Sequence, residues 1–164
     1  MKEVRKMKSM TLRNVELFDL PVAEGTLPVT HHDVEAGTIA NADDTVIISN
    51  NIFHIYDCTY FKTFNERIIL DDGTVHEQYK KADTFRLYYS EASHVLFVPG
   101  PTSTIKTFLK DLTDQYETKF RLTKYHFDFN RIRESETLIK GVWFKVEDDN
   151  VDSKAFFGDE VDQD

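Results

Sequence analysis

Cysteine is all but missing from this chain. Cys58 is the only one, so no internal disulfide can form, and a thiolate metal site cannot be assembled from one sulfur. A small secreted domain would ordinarily carry several cysteines, so the usage points to a reducing compartment. Cys58 itself reads as a small buried hydrophobe; a nucleophilic role would need a nearby base, which sequence alone does not show.

Glycine and proline are also scarce, at 6 and 4 residues in 164. So few glycines exclude the loops that cradle nucleotide phosphates. The chain has no G-x-x-x-x-G-K-[ST], no G-x-G-x-x-G, no H-E-x-x-H and no G-x-S-x-G. No stretch approaches the roughly 18 apolar residues of a membrane span. The basic start, Met1 to Lys8, is not followed by the apolar core of a signal peptide, and a soluble cytoplasmic protein is expected. Scarce Gly, Pro and Ala beside abundant Lys, Asn, Phe, Tyr and Ile suggest an AT-rich genome, such as that of a low-GC bacterium or its phage.

Apolar bulk is plentiful. Hydrophobic residues make up 40% and aromatics 13%, with 13 Phe, 7 Tyr and 1 Trp, enough to build a core in one domain. The net charge of −9 is spread unevenly. Residues 147–164 hold eight acids and one base, residues 14–102 hold 14 acids and 5 bases, and residues 103–146 hold 9 bases and 6 acids. An acidic balance argues against simple non-specific DNA binding, in which phosphate neutralisation supplies the affinity.

Periodicity predicts an α+β fold, mainly an antiparallel sheet with one amphipathic helix over about 103–117 packed on one face. Ile105, Phe108, Leu109, Leu112 and Tyr116 share one helical face, with Thr102, Ser103 or Thr104 as N-cap; Lys106, Lys110, Asp111 and Asp114 are assigned to the outer face. Strands are expected around Val15–Leu17, Val46–Ile48, Ile52–Tyr60 and Arg67–Leu70. The Asp72-Gly73 step then turns into a further strand over Val75–Tyr79. Phe85–Tyr89 and Val95–Val98 make a second hairpin, with Val95–Val98 buried on both sides. Beyond the helix, Tyr125, Phe127 and Phe129 alternate with His126, Asp128 and Asn130 in a strand over Lys119–Ile132, their rings turned to the core, and Leu138–Val146 forms another. Residues 21–44, with Pro21, Gly25, Pro28 and Gly37, read as a long loop, either a mobile linker or a functional loop. One domain is expected over 1–146, with 147–164 as an acidic C-terminal tail or a linker within a longer protein.

Candidate chemistry is sparse. His31, His32, Asp33 and Glu35 form the densest group of metal-capable side chains, but adjacent histidines diverge in an extended chain. His54 with Asp57 and His76 with Glu77 are chance-level pairs. His126, Asp128 and Asn130 would project together from one strand face, with His126 as the proton carrier of any site; a solvated face has the same pattern. Pro99-Gly100-Pro101 before the helix loosely mimics an anion site, against the plainer reading of a capped turn. Lys119, Arg121, Lys124, Arg131 and Arg133, interleaved with aromatics, resemble the mixture with which RNA-binding sheets stack bases and neutralise phosphates. In the acidic tail, Phe156 and Phe157 form an apolar pair flanked by Asp148, Asp149, Asp159 and Glu160, a pattern suited to docking.

These observations favour a non-enzymatic protein-binding module, such as a phage or mobile-element inhibitor or an adaptor domain of a larger bacterial protein. Nucleic-acid binding through 119–145 and a small metal-dependent hydrolase are the alternatives. No cofactor, resident metal or catalytic residue is expected.

Overall fold

The computed structural model describes residues 9–128, together with the backbone of 141–144 and 154–157. The chain divides into two compact units, Met1–Tyr125 and His126–Asp164. The first holds β1 (Met10–Phe18), a 3-10 turn (Val22–Glu24), β2 (Leu27–His31), β3 (Val34–Ile48) and β4 (Asn51–Phe64). It continues with β5 (Ile68–Ile69), β6 (Val75–His76), β7 (Tyr79–Ser90), β8 (Val95–Pro99), α1 (Thr102–Gln115) and β9 (Phe120–Lys124). In the second, β10 (Gly141–Phe144) pairs antiparallel with β11 (Lys154–Phe157).

Seven strands form one antiparallel sheet in the order β2-β3-β4-β7-β8-β1-β9, and β5 with β6 makes a separate two-stranded ribbon. The sheet curls so that both of its edges, β2 and β9, meet α1. The fold is therefore the expected α+β arrangement of one amphipathic helix on an antiparallel sheet. Alternation along the strands fixes which face is filled. Tyr56, Cys58 and Tyr60 of β4, Phe85, Leu87 and Tyr89 of β7, and Leu96 and Val98 of β8 enter one core with Ile105, Phe108, Leu109 and Leu112 of the helix.

Several expectations need correction. Residues 21–44 are not a loop: they contain the 3-10 turn, β2 and most of β3. His32 and Asp33, at φ 50° and 63°, make the left-handed two-residue turn that joins β2 to β3, a conformation more often given to Asn-Gly. The polar run Asn41-Ala42-Asp43-Asp44 is absorbed by a bulge between Asn41 and Thr45, closed by Asp43 N–H donating to Asn41 Oδ1 and Thr45 N–H donating to Asp44 Oδ1. The helix begins at Pro101 without any side-chain cap. β8 is fully buried on one face only; Val95 and Phe97 are half-buried, and Phe97 stacks on Tyr88 at 4.6 Å and meets Phe53 at 5.2 Å. Beyond Lys124 the strand stops, and Phe127, expected in the core, is 47% exposed.

Gly37 is required where β3 passes β4. A Cβ there would lie 2.3 Å from the Thr59 carbonyl oxygen, which is ladder backbone and cannot step aside cheaply. Gly37→Ala is expected to cost about 1–3 kcal/mol, as overpacking does. Denaturant unfolding checks this, and a midpoint equal to that of the native chain would contradict it.

Candidate functional site

The helix carries the feature from which the site is built. Asp111, assigned above to the outer face, is only 5% exposed. At 100° per residue, Thr104, Phe108, Asp111 and Gln115 fall on one flank of α1. That flank faces the sheet. Tyr60 OH donates to Asp111 Oδ2 at 2.7 Å, and His31 Nδ1 lies 2.8 Å from Oδ1. An ionised carboxylate only accepts, so Nδ1 is the donor of this pair. One turn on, Gln115 Oε1 accepts from the Thr30 N–H at 2.8 Å and from its hydroxyl at 3.2 Å, and Tyr116 OH donates to the Pro28 carbonyl at 3.0 Å. The C-terminal half of the helix is thus tied to β2 by three polar links.

Two turns earlier a second link forms. Thr104 Oγ1 donates to Asp83 Oδ2 at 3.0 Å, and Lys62 Nζ reaches the same oxygen at 3.2 Å. Burial pushes the Asp83 carboxyl up. The Thr104 and Lys62 hydrogen bonds and the charges of Lys62 and Lys81 outweigh burial and hold it below the usual carboxylate range. For Tyr60, burial acts first, and the bond to Asp111 and its charge add to it. All three push the phenol well above the ordinary tyrosine value.

Beside these two links lies an open cleft of about 580 Å³. His31, Tyr60, Phe61, Lys62, Phe64, Lys80 and Thr104 contribute to its lining, as do Val34 to Ala36 on β3 and Ser103 and Thr107 on α1. Of the sequence-predicted metal-capable group, His31 and Glu35 line it. His31 and His32 meet edge to face with centroids 4.2 Å apart, because the turn brings the adjacent rings together. No group of three or more metal-capable side chains gathers among the described residues. Cys58 is buried, and burial pushes its thiol far up, so it is not poised as a nucleophile.

The remaining candidates lie elsewhere. Asp57 pairs with Arg86 at 3.1 Å, and Glu77 approaches Arg67 at 3.9 Å. The Gly100 N–H is taken by the Ser9 carbonyl at 2.8 Å, so this amide does not wait for an anion. Lys119, Arg121 and Lys124 are exposed on β9 and the turn before it; Arg131 and Arg133 lie outside the described residues. His126 and Asp128 are exposed on irregular backbone, so the expected strand row is not formed there, and Asn130 lies outside the described residues. Phe156 and Phe157 stand in β11, in register with Val142 and Gly141. Asp148, Asp149, Asp159 and Glu160 lie outside the described residues.

The structure adds a surface that periodicity did not single out. Beyond the bulge, β3 and β4 continue as a two-stranded arm in which Ile47 and Ile52 are cross-strand partners, 71% and 54% exposed, with Ile48 exposed beside them. The only legible signal was the isoleucine content of 47–52, which reads equally well as core. No helix among the described residues is long and apolar enough to cross a membrane. Comparison of the chain with protein-family models, with curated proteins and with solved structures finds no match.

Removing the Asp111 carboxylate strands two donors. Asp111→Ala is expected to cost about 1–3 kcal/mol, chiefly through the unsatisfied Tyr60 hydroxyl; the His31 imidazole, 46% exposed, can turn to water. The raised Tyr60 value gives the sign of the alkaline response. Its folded-state value lies above the unfolded value of about 10, so its stabilisation is whole below that pH and is lost as pH climbs toward the folded value. Tyr60→Phe should lower stability at neutral pH and make the alkaline decline shallower. Equal alkaline slopes for the two proteins would contradict the assignment.

Proposed function

We propose that this chain is a non-enzymatic protein-binding module, and that it docks through the tip of the β3–β4 arm. The observation that carries the reading is the uncovered Ile47–Ile52 pair with Ile48 beside it. Adjacent exposed isoleucines on a strand ribbon are costly to keep in water and are common where a partner covers them. Charge specifies the partner's chemistry. Residues 14–61 contain eight acids and neither lysine nor arginine, and Asp43 and Asp44 sit at the base of the arm. The matching surface is an apolar groove rimmed by Lys and Arg. The C-terminal segment with Phe156, Phe157, Asp148, Asp149, Asp159 and Glu160 repeats the same combination of acid and apolar residues, and we assign it as a second contact of the same kind.

A second reading, nucleic-acid handling, draws on the exposed Lys119, Arg121 and Lys124 along the sheet edge. It predicts affinity for single-stranded RNA that falls steeply between low and moderate salt. Binding that is absent at both salt concentrations removes it.

The test of the leading reading compares proteins retained by the full chain, by the Ile47→Ser/Ile52→Ser variant and by the Phe156→Ser/Phe157→Ser variant. Each retained protein is then purified and titrated against all three. The arm variant should lose at least about tenfold in affinity, as truncating a buried anchor does, while its melting transition stays that of the native chain. A partner held equally by all three, or no partner, overturns the proposal.

A further inference from the structure

We infer that the cleft between α1 and strands β3 and β4 is a binding site for a small anion with an aromatic body. The inference is independent of the arm, which lies at the other end of β4. A volume of about 580 Å³ falls in the range of small-molecule sites, and the lining joins apolar walls to a few polar groups, as such sites do. Val34, Ala36, Tyr60, Phe61 and Phe64 supply the walls. Three of those five are aromatic, and Phe64 is braced by stacking on Tyr79 at 5.1 Å. Flat rings are therefore presented to whatever enters, and offset stacking on them favours an aromatic occupant.

The sign of the occupant's charge follows from the lysines. Lys62 and Lys80 line the cleft, and Lys62 is the direct cross-strand partner of Lys81. Like charges placed opposite each other destabilise a ladder unless something neutralises them. Asp83 is the one carboxylate in contact, held by Lys62 at 3.2 Å and also accepting from Thr104. Asp83 is ion-paired with Lys62, and neither Lys80 nor Lys81 makes an ion pair among the described residues. Glu35 is the opposing charge in the lining, but it is exposed on β3 and open to screening by solvent. The other carboxylate beside the cleft, Asp111, is buried and accepts from Tyr60 and His31. A carboxylate, sulfonate or phosphate seated near Lys62 and Lys80 meets two ammonium groups, with the Ser103 hydroxyl at hand as a donor.

The probe is 1-anilinonaphthalene-8-sulfonate, titrated by fluorescence into the full chain, with 2-naphthoate and the neutral 2-naphthylmethanol as competitors. Saturable one-site binding is expected, displaced by the naphthoate and far less by the alcohol. Lys62→Met/Lys80→Met keeps the aliphatic stems and should weaken binding about tenfold or more, since a hydrogen bond to a charged group is at stake. Thr107→Trp fills the cleft from the helix and should abolish binding. Cooperative thermal unfolding of each protein excludes dye uptake by a loosened core. Amide resonances of the native chain, titrated with 2-naphthoate, should shift at Ala36, Thr63 and Thr107, a readout that needs no variant to fold. Absence of saturable binding, undiminished binding by Thr107→Trp, or shifts confined to other regions overturns the site. Equal displacement by the neutral alcohol, or full affinity after loss of both lysines, overturns its anionic specificity.

Discussion

Everything in the first unit is arranged around one buried carboxylate. Asp111 brings a charge into the space between helix and sheet, where an unpaired ion would cost several kcal/mol. Each of its oxygens is matched by a donor from a different strand, Tyr60 on β4 and His31 on β2, with β3 running between them. The pairing is therefore a geometric constraint as well as a neutralisation. It can be satisfied only when α1, β2 and β4 occupy one relative position. Hydrophobic contact alone would let the helix slide along the curled sheet, because apolar burial has no direction. The carboxylate, with Gln115 and Tyr116 gripping Thr30 and Pro28, removes that freedom at the edge strand.

The same constraint opens the cleft. Beside the cleft the helix is fastened to the sheet at two polar points, Asp111 with Tyr60 and His31, and Thr104 with Asp83 and Lys62. Residues of both points line the cleft, so its walls are held by the groups that fix the helix. The cleft's threonine hydroxyls at 104 and 107 donate to Asp83 and to the Ser103 carbonyl, and Cys58 is buried in the core.

What could be read from residues alone was what local periodicity determines. Ile105, Phe108, Leu109 and Leu112 announce the helix whatever surrounds it, and Phe85, Leu87 and Tyr89 announce a strand. β2 and the first half of β3 were illegible because their strand character is imposed from outside. Gly37, Asn41 and two aspartates carry no alternating pattern; β4 supplies the ladder, and a bulge takes up the polar surplus. Asp111 reads from sequence as an outer-face residue because charge is ordinarily a sign of exposure. Its spacing from Thr104 and Phe108 held the correct answer, but only the partners across the gap, 51 and 80 residues away in sequence, could say that the acid was satisfied. The cleft was invisible for the same reason: its lining is drawn from five separate elements.

The arm raises a different question, since nothing in the fold needs its isoleucines. The body of the sheet is complete where Thr45 meets His54, and among the described residues those beyond pair in the ladder only with each other. An edge of this kind is a hazard, which natural sheets blunt with bulges and charge. Both devices are present at the base of the arm, in the Asn41–Thr45 bulge and in Asp43 and Asp44, yet the tip is left apolar. Protection that stops short of the exposed pair protects the wrong residues if the aim is solubility alone. It is placed correctly if the tip is meant to be covered and the acids steer what covers it. A stretch of chain from residue 14 to residue 61 without a single lysine or arginine acts in the same direction, because it repels other acidic surfaces and admits basic ones.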